Sequence, residues 1–190
     1  MTFFLVRHGE TEWNRSRRYQ GWGDSPLTER GVAQAEALGR RLAAIPEAAA
    51  GADIVASPLG RARRTAEVIA AQLGRTAPLR LDERLKEISL GAWDGLDRRE
   101  VKALMGDRFV EFEFYFETPH GETYDEFSGR IAAWLAEVGD APLIVVCHGV
   151  VTRVLRGLYA GLPRADALRL EVPQDRIFRL AGGKIEEIAA

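Results

Sequence analysis

Three short apolar runs, each followed at once by polar residues, constrain the fold of this chain more than any other feature. They occupy residues 3–6, 53–56 and 143–146, and their apolar positions are consecutive rather than alternate. Runs of this kind are typical of strands that are buried on both faces, as in parallel sheets. They therefore indicate a central sheet that is covered by other elements on both sides.

Amphipathic helices follow the first two runs. Thr28 is placed to cap a helix that ends before Pro46. A second helix is predicted with Ser57 as N-cap, Pro58 as its first residue and Gly74 as its end. Apolar or small residues recur at three- and four-residue steps along both helices. They are Val32, Ala35, Leu38, Leu42 and Ile45 in the first helix, and Ala62, Thr65, Ala66, Ile69 and Leu73 in the second.

The rest of the chain continues this alternation. Helices are predicted over residues 122–138 and 150–159, and residues 176–180 and 184–188 flank a glycine-containing turn as a hairpin. No internal repeat or flexible linker interrupts the sequence. The elements predict a single domain over residues 1–190, built as a three-layer α/β/α sandwich with a mainly parallel central sheet.

The charge balance and the cysteine count argue against several classes of function. The 190-residue chain has a formal net charge of −2, so it lacks the basic character typical of proteins that bind nucleic acid or anionic membranes. Its single cysteine, Cys147, excludes an intrachain disulfide and indicates a reducing compartment. The apolar run at residues 3–6 is too short for a signal peptide or a membrane span. We therefore expect a soluble, cytoplasmic protein.

Two of the three histidines stand in the same context, directly after a predicted buried strand and before a glycine. They are His8, followed by Gly9, and His148, followed by Gly149. Ligands of open α/β sheets bind at the carboxyl ends of the strands, and glycine lets the backbone turn sharply there. One such histidine could simply cap backbone groups. The matched pair instead predicts that both imidazoles face one site.

Arginines close to these histidines in the sequence indicate that the site binds an anion. Arg7 adjoins His8, and Arg61 lies in the first turn of the helix predicted after Ser57. A cation at a helix N-terminus opposes the helix dipole by about 0.3–1 kcal/mol, so we expect an anion to compensate it. A phosphoryl group would meet the dipole, free backbone amides and a bidentate guanidinium together. The alternative is that Arg61 is an ordinary solvated arginine.

These residues supply the parts of a phosphoryl-transfer mechanism. Neutral imidazole accepts a phosphoryl group at pH 7 because its ordinary pKa is about 6.5, so His8 is the candidate nucleophile. Arg7, Arg61 and a protonated His148 would stabilise the charge on the transferred group. Glu87 lies in a loop-like, partly apolar stretch, which would suit a proton donor to the leaving alkoxide.

The chain resembles the histidine phosphatase superfamily, the phosphoglycerate mutase-like proteins. The resemblance rests on LVRHGETEWN at residues 5–14 with QG at 20–21 and DSPLT at 24–28, SPLGRARRTA at 57–66, LKEISLGAWDG at 85–95 and VCHG at 146–149. These stretches follow the family's order. The resemblance implies that His8 is the phosphorylated nucleophile and Glu87 the proton donor. It also implies that three further residues bind the phosphoryl group, namely Arg7, Arg61 and His148.

The same resemblance extends the site to four more residues. Asn14, Gln20 and Gly21 are implied at the phosphate end of the pocket, and the backbone amide of Gly149 is implied as a further contact. No cofactor and no metal ion is implied. The expected partner is a small phosphorylated metabolite.

Within this family the choice lies between a phosphatase and a cofactor-dependent phosphoglycerate mutase. The family's mutases resemble one another in an insertion with paired basic residues, which helps to retain a bisphosphorylated intermediate. Here residues 107–118 carry aromatic residues and several carboxylates but only one arginine, Arg108. The length of the chain is also similar to that of the family's smaller phosphatases. We therefore predict a metal-independent phosphatase that hydrolyses phosphomonoesters through a phosphohistidine on His8.

Residues 97–120 are predicted to form a lid over the pocket, which would favour substrates with an apolar or uncharged body. The aromatic residues of this segment would equally suit a buried helix or a contact in a homodimer. His120 stands where the family's short phosphatases usually have glycine. It either bonds to the substrate or, in the interpretation we favour, lies exposed to solvent without a role.

Two other classes of protein, and a cysteine nucleophile, are weaker alternatives. A catalytically inactive relative that binds phosphorylated molecules or proteins would not need the five catalytic positions that this chain retains. A metal-dependent hydrolase would need histidines at ligand spacing or a tight acidic cluster, and the sequence has neither. Cys147 is predicted as a buried core residue rather than a nucleophile paired with His148, because adjacent strand residues point to opposite faces.

Overall fold

The structure is a computed structural model that describes residues 1–190. Its strands are β1 (Thr2–Arg7), β2 (Asp53–Ala56), β3 (Arg80–Leu81), β4 (Leu143–Cys147), β5 (Arg176–Ala181) and β6 (Lys184–Ala189). They form one six-stranded sheet in the order β3-β2-β4-β1-β5-β6. The β1, β2, β3 and β4 strands pair in parallel, and β5 and β6 join them as an antiparallel hairpin. The prediction of a mainly parallel sheet with a C-terminal hairpin is confirmed.

Eight α-helices connect and cover these strands. They are α1 (Glu12–Arg15), α2 (Glu29–Ala43), α3 (Pro46–Ala49), α4 (Gly60–Gln72), α5 (Arg98–Met105), α6 (Tyr124–Glu137), α7 (Gly149–Ala160) and α8 (Arg164–Ala167). Thr28 caps α2 as predicted, because its hydroxyl accepts a hydrogen bond from the amide of Gly31 at 3.0 Å. None of the helices has the length and apolar character needed to cross a membrane.

Alternate residues of the central strands pack into two separate cores. On β1, Phe3 and Leu5 belong to the core that also holds the buried residues of α6 and α7. Phe4 and Val6 belong to the core on the opposite face, beneath α2 and α4. Because the sheet is buried on both faces, its strands are apolar at consecutive positions. This arrangement is the predicted three-layer α/β/α sandwich.

The predicted start of the second long helix is wrong. The helix α4 begins at Gly60, its N-cap is Leu59, and no side chain caps it. Ser57 therefore does not act as the N-cap, and Pro58 lies outside the helix. The Ser57 hydroxyl instead bonds to His148, at 2.7 Å from Nε2. A serine before proline suits either role, and only the position of the distant histidine decides between them.

Residues 97–120 fold as α5 followed by two 3-10 turns, Gly106–Arg108 and Glu113–Phe116. The apolar side chains Val101, Met105 and Phe114 pack on Trp93 in a small core of their own. None of the aromatic side chains in this segment is exposed. Phe114 is buried and the other aromatic side chains are partly buried, so part of the segment has a core role, while the homodimer contact stays a prediction.

Two glycines allow the chain after β1 to pass directly over the start of α2. A Cβ atom on Gly31 would lie 2.1 Å from the carbonyl oxygen of Glu10, and one on Gly9 would lie 2.2 Å from the carbonyl oxygen of Gly31. Backbone atoms cannot move aside as the end of a side chain can. The loop that carries His8 is thus fixed by backbone contact with α2.

We expect Gly31→Ala to lower the free energy of unfolding by about 1–3 kcal/mol, because the added methyl group overpacks this contact. The matched control is Gly129→Ala in α6, where a Cβ would meet no atom within 4 Å. There the loss of glycine flexibility should stabilise the protein by up to about 1 kcal/mol. Urea unfolding of both variants measures the difference, and equal stabilities would contradict the contact.

Candidate active site

The two His-Gly pairs meet at the carboxyl ends of neighbouring strands. Arg7 on β1 is in register with Cys147 on β4, and the amide of His8 donates to the carbonyl of Cys147 at 3.0 Å. The histidine that follows each strand therefore lies at the same edge of the sheet. The ring centroids of His8 and His148 are 5.3 Å apart, and both residues are buried. The two imidazoles thus belong to one site.

His8 is held in a defined tautomer. Its Nδ1 atom lies 2.8 Å from the carbonyl oxygen of Gly9. A carbonyl can only accept, so Nδ1 carries the hydrogen and Nε2 keeps a free lone pair. Burial lowers the pKa of His8 well below its ordinary value, and the positive charges of Arg61 and Arg7 lower it further. The imidazole is therefore neutral at pH 7, with its nucleophilic nitrogen fixed in direction.

His148 is oriented by Ser57. The Ser57 hydroxyl accepts from the amide of Leu59 at 3.3 Å, and its only remaining partner is Nε2 of His148 at 2.7 Å. Donation by the hydroxyl to Nε2 places the imidazole hydrogen on Nδ1, which is buried and has no partner. Burial, then Arg61 and His8, lower the pKa of His148 well below its ordinary value. The lowered pKa disfavours the protonated His148 expected from the sequence and favours a neutral imidazole that can still donate through Nδ1.

Five buried side-chain polar atoms have no hydrogen-bond partner, and three of them belong to the three residues expected to bind the phosphoryl group. These three are Nε of Arg7, Nε of Arg61 and Nδ1 of His148. Leaving a donor buried and unpaired costs about 1–3 kcal/mol. Both guanidinium charges act on both imidazoles. The site therefore presents positive charge and free hydrogen-bond donors to an anion.

Arg61 is fixed from behind by the loop at residues 21–24. Its terminal nitrogens donate to the carbonyl of Gly21 at 2.7 Å, to the carbonyl of Gly23 at 2.9 Å and to the carboxylate of Asp24 at 3.2 Å. The Asp24 carboxylate also accepts from the amide of Arg61 at 3.2 Å, at the start of α4. The anion that was expected to offset Arg61 at this helix end is thus, in part, a protein carboxylate. The Arg61 side chain is 0% exposed.

Asp94 fixes that loop in turn. Its two carboxylate oxygens accept from the amide of Gly21 at 2.9 Å and from the amide of Gly23 at 2.5 Å. Gly21 does not line the cavity described below. The backbone carbonyl of Gly21 holds Arg61 in place, and its expected position at the phosphate end stays a prediction.

Glu87 reaches the N-terminus of α7. Its carboxylate accepts from the amide of Val150 at 3.1 Å, from that of Val151 at 3.3 Å and from that of Ile88 at 3.1 Å. The residue is 6% exposed. Its setting is thus more polar than the sequence indicated, since backbone amides and the helix dipole face the carboxylate. The carboxyl group lies directly beside Gly149, where the helix begins.

Amide side chains complete the inner wall. The oxygen of Asn14 accepts from the amide of Thr11 at 3.3 Å and from Nε2 of Gln174 at 2.9 Å. Its amide nitrogen is left as a free donor, as phosphate binding requires. Gln20 bonds to the hydroxyl groups of Thr11 and Ser25 at 3.0 and 3.2 Å. Gln174 was not predicted, and no pattern in the sequence distinguishes it.

A cavity of about 210 Å³ opens over these groups. Its lining includes six of the nine predicted site residues: Arg7, His8, Asn14, Gln20, Glu87 and Gly149. Arg61 and His148 lie behind this surface. The sequence did not single out the remaining lining residues, which come from five separate parts of the chain: Arg18, Tyr19, Ile88, Leu90, Tyr115, Val150, Arg153 and Val172.

Two further sequence predictions concern residues outside the cavity. His120 is exposed and adopts a positive φ of 61°, a conformation that favours glycine. This explains why glycine is usual at that place in the resembling phosphatases. Cys147 is fully buried in the core, and burial raises the pKa of its thiol to about 12. No group of three or more histidine, cysteine, aspartate or glutamate side chains is arranged to hold a metal ion.

A family model for the histidine phosphatase superfamily (branch 1) matches residues 3–184. The chain belongs to the histidine phosphatase superfamily. The resemblance seen in the sequence motifs is thereby confirmed, and it extends beyond Gly149 to the C-terminal hairpin. Members of this superfamily act on phosphorylated compounds, and the cavity lies where its two His-Gly motifs meet.

Similar proteins include both mutases and phosphatases by name. The chain is 36% identical to the probable phosphoglycerate mutase GpmB of Photorhabdus laumondii, over 98% of this chain and 91% of that protein. It is 34% identical to YhfR of Bacillus stearothermophilus, with a TM-score of 0.80 over 99% and 95% of the two chains. A mycobacterial glucosyl-3-phosphoglycerate phosphatase in complex with VO3 is 30% identical, with a TM-score of 0.80 over 100% and 96%.

The two buried imidazoles predict a distinct dependence of stability on pH. Because burial lowers the pKa of both His8 and His148, the unfolded chain binds more protons than the folded protein below pH 6.5. Stability should therefore fall as the pH drops below about 6.5, by up to about 1.4 kcal/mol per unit for each imidazole. Above that pH these two groups should contribute no slope.

Urea unfolding between pH 5.0 and 8.0 measures this slope. His8→Gln and His148→Asn should each remove about half of it in the window from pH 5 to 6.5. A stability that is flat in this window, or that rises as the pH falls, would contradict the depressed pKa values.

Proposed function

We propose that this protein is a phosphatase that hydrolyses phosphomonoesters of small metabolites through a phosphohistidine on His8. One observation carries the proposal. A neutral imidazole with a free, fixed Nε2 stands beside three buried donors that lack partners, on Arg7, Arg61 and His148. A phosphoryl group would satisfy these donors and place its phosphorus within reach of Nε2.

In the first half-reaction, Nε2 of His8 attacks the phosphorus, and the bond from phosphorus to the leaving oxygen breaks. Glu87, in its protonated form, gives its proton to that oxygen, so the alcohol leaves neutral. Arg7 and Arg61 stabilise the charge on the phosphoryl oxygens, and His148 donates through Nδ1. The amide of Gly149, at the N-terminus of α7, supports the same oxygens.

In the second half-reaction, water attacks the phosphohistidine. The Glu87 carboxylate takes a proton from that water, the bond from Nε2 to phosphorus breaks, and inorganic phosphate leaves. His8 returns to its neutral form with the hydrogen still on Nδ1. Every proton is thus moved by this chain's own groups, and we propose that no metal ion is required. A cytoplasmic location agrees with the single, buried Cys147.

Hydrolysis is favoured over isomerisation by the segment that would have to hold a second phosphate. Its one arginine, Arg108, is exposed, lies 3.9 Å from Glu117 and does not line the cavity. The structurally similar mycobacterial protein named above is a phosphatase by its name. Phosphoryl transfer to water does not require a bisphosphorylated intermediate to stay bound.

Phosphoglycerate mutase activity is the second candidate, and the relative named GpmB favours it. The test supplies 3-phosphoglycerate with a catalytic amount of 2,3-bisphosphoglycerate. We expect release of inorganic phosphate from a generic monoester to exceed formation of 2-phosphoglycerate. Efficient interconversion without net phosphate release would assign the mutase activity instead.

His8→Ala should abolish the covalent intermediate and reduce turnover to background. With p-nitrophenyl phosphate, the wild-type protein should give an acid-labile, base-stable phosphoenzyme that is detected by mass spectrometry after a rapid quench. Turnover and labelling should persist in EDTA. The control is His120→Ala, which changes an exposed histidine outside the cavity.

Each other result for His8→Ala has a specific meaning. Labelling that survives in this variant would move the nucleophile to another residue. Loss of wild-type activity in EDTA would overturn the metal-independent mechanism. Binding of a phosphorylated ligand by the wild type without any turnover would indicate an inactive relative.

Glu87→Gln should affect substrates according to their leaving groups. Hydrolysis of glycerol 3-phosphate, whose alkoxide needs a proton, should fall by about 10²–10⁴-fold. Hydrolysis of p-nitrophenyl phosphate should fall by less than about tenfold, because nitrophenolate leaves without a proton. Steady-state kinetics with both substrates gives the ratio, and an equal loss for the two would show that Glu87 is not the proton donor.

A further inference from the structure

The cavity contains more positive charge than one phosphoryl group uses. Three arginines line it, Arg7, Arg18 and Arg153, and Glu87 is its only carboxylate. Arg7 serves the phosphoryl group in the proposed function, together with the buried Arg61. Arg18 donates to the carbonyl of Gly95 at 2.7 Å, and its guanidinium also lies within 3.9 Å of a carboxylate outside the cavity.

Arg153 differs from Arg18 because it has no carboxylate partner. It lies on α7, and its Nε donates to the carbonyl of Leu170 at 2.8 Å. Its guanidinium carbon lies 4.6 Å from the centre of the Phe112 ring. These two contacts fix the plane of the guanidinium, and its one further side-chain partner is the phenol of Tyr115. The side chain therefore offers a charged, oriented pair of donors to the cavity.

The positive charge of Arg153 is unfavourable without an anionic partner, because a second positive charge lies close to it. Burial lowers the pKa of Arg7, and repulsion between Arg153 and Arg7 lowers it further. Tyr115 lines the same cavity, and burial raises the pKa of its phenol, so its hydroxyl stays neutral and can donate. A second anionic group on the ligand would relieve the repulsion and bind both side chains.

We propose that Arg153 and Tyr115 form a subsite for a carboxylate on the alcohol part of the substrate. The inference rests on the proposed function, since it assigns the phosphoryl group to the other end of the cavity. The two terminal nitrogens of a guanidinium match the two oxygens of a carboxylate. The substrate class is then a compact phosphomonoester that carries a carboxylate close to the ester. This replaces the apolar or uncharged body that was expected from the aromatic segment.

The test uses two substrates that differ only at this group. In 3-phosphoglycerate a carboxylate stands where glycerol 3-phosphate has a hydroxymethyl group. The wild type should prefer 3-phosphoglycerate in kcat/KM. Arg153→Gln should lower kcat/KM for 3-phosphoglycerate by about tenfold or more, mainly through KM, because a charge-assisted bidentate pair is lost. For glycerol 3-phosphate the loss should stay below about threefold.

Arg41→Gln is the matched control, since Arg41 is an exposed arginine on α2 with no ion pair, remote from the cavity. It should leave both substrates unchanged. Equal losses for the two substrates in Arg153→Gln would show that Arg153 binds the phosphoryl group, and would overturn the carboxylate subsite. A wild type without preference for 3-phosphoglycerate would overturn it as well.

Failure of this inference can be told from failure of the proposed function. Hydrolysis of p-nitrophenyl phosphate without carboxylate selectivity would leave the phosphatase intact and remove the subsite alone. If no monoester is hydrolysed, calorimetric binding of the same two ligands still tests Arg153. Weaker binding of 3-phosphoglycerate alone in Arg153→Gln would then support the subsite, and unchanged binding would overturn it.

Discussion

Buried positive charge that lacks a full set of partners is the constraint on which the rest of this structure depends. Arg61 is fully enclosed, yet its Nε has no acceptor, and the same holds for Nε of Arg7 and Nδ1 of His148. This arrangement keeps His8 neutral, because burial and the adjacent guanidinium charges disfavour its protonated form. A nucleophile and an anion site are thus produced by one electrostatic arrangement.

Such a site is stable only if its cations cannot turn away to find other partners. The loop at residues 21–24 prevents this for Arg61, because its carbonyl groups accept from the guanidinium while Asp94 holds its amides. The same principle applies to His148, whose ring is fixed by Ser57 from a different strand end. Arg61 and His148 are therefore each held by residues that do not line the cavity. Preorganised electrostatic stabilisation requires donors whose orientation is fixed in this way.

The sequence predicted the parts of this arrangement that follow from local patterns. Buried strands are visible in consecutive apolar residues, and the shared edge of β1 and β4 follows from parallel pairing, so the meeting of His8 and His148 was predictable. The role of Ser57 was not, because a serine before proline also fits a helix cap. Asp94 acts through a contact with a residue 73 positions away, Gln174 through one 160 positions away and Arg153 through the Leu170 carbonyl, 17 positions away. No periodicity encodes such contacts.

The segment at residues 97–120, which the sequence predicted as a lid, illustrates the same limit. Aromatic residues at 109–116 were compatible with a lid, a core or an interface, since composition does not show which way a side chain faces. The structure turns Phe114 into a small core with Trp93 and leaves Tyr115 on the cavity. Phe114 and Tyr115 are adjacent in the chain, yet one ring packs in a core and the other lines the cavity.

The helix α7 joins the chemistry to the recognition of the substrate. Its first residue, Gly149, and Arg153 both line the cavity, and the amides of Val150 and Val151 bind the Glu87 carboxylate. The helix is rigidly placed, because Val150, Val151, Val154 and Leu155 are buried in the core. A ligand group bound by Arg153, as proposed, would thus be held at a fixed distance from the Glu87 carboxylate. Binding energy gained at that end then contributes to orientation of the ester at the other, which is how a remote contact can raise kcat as well as lower KM.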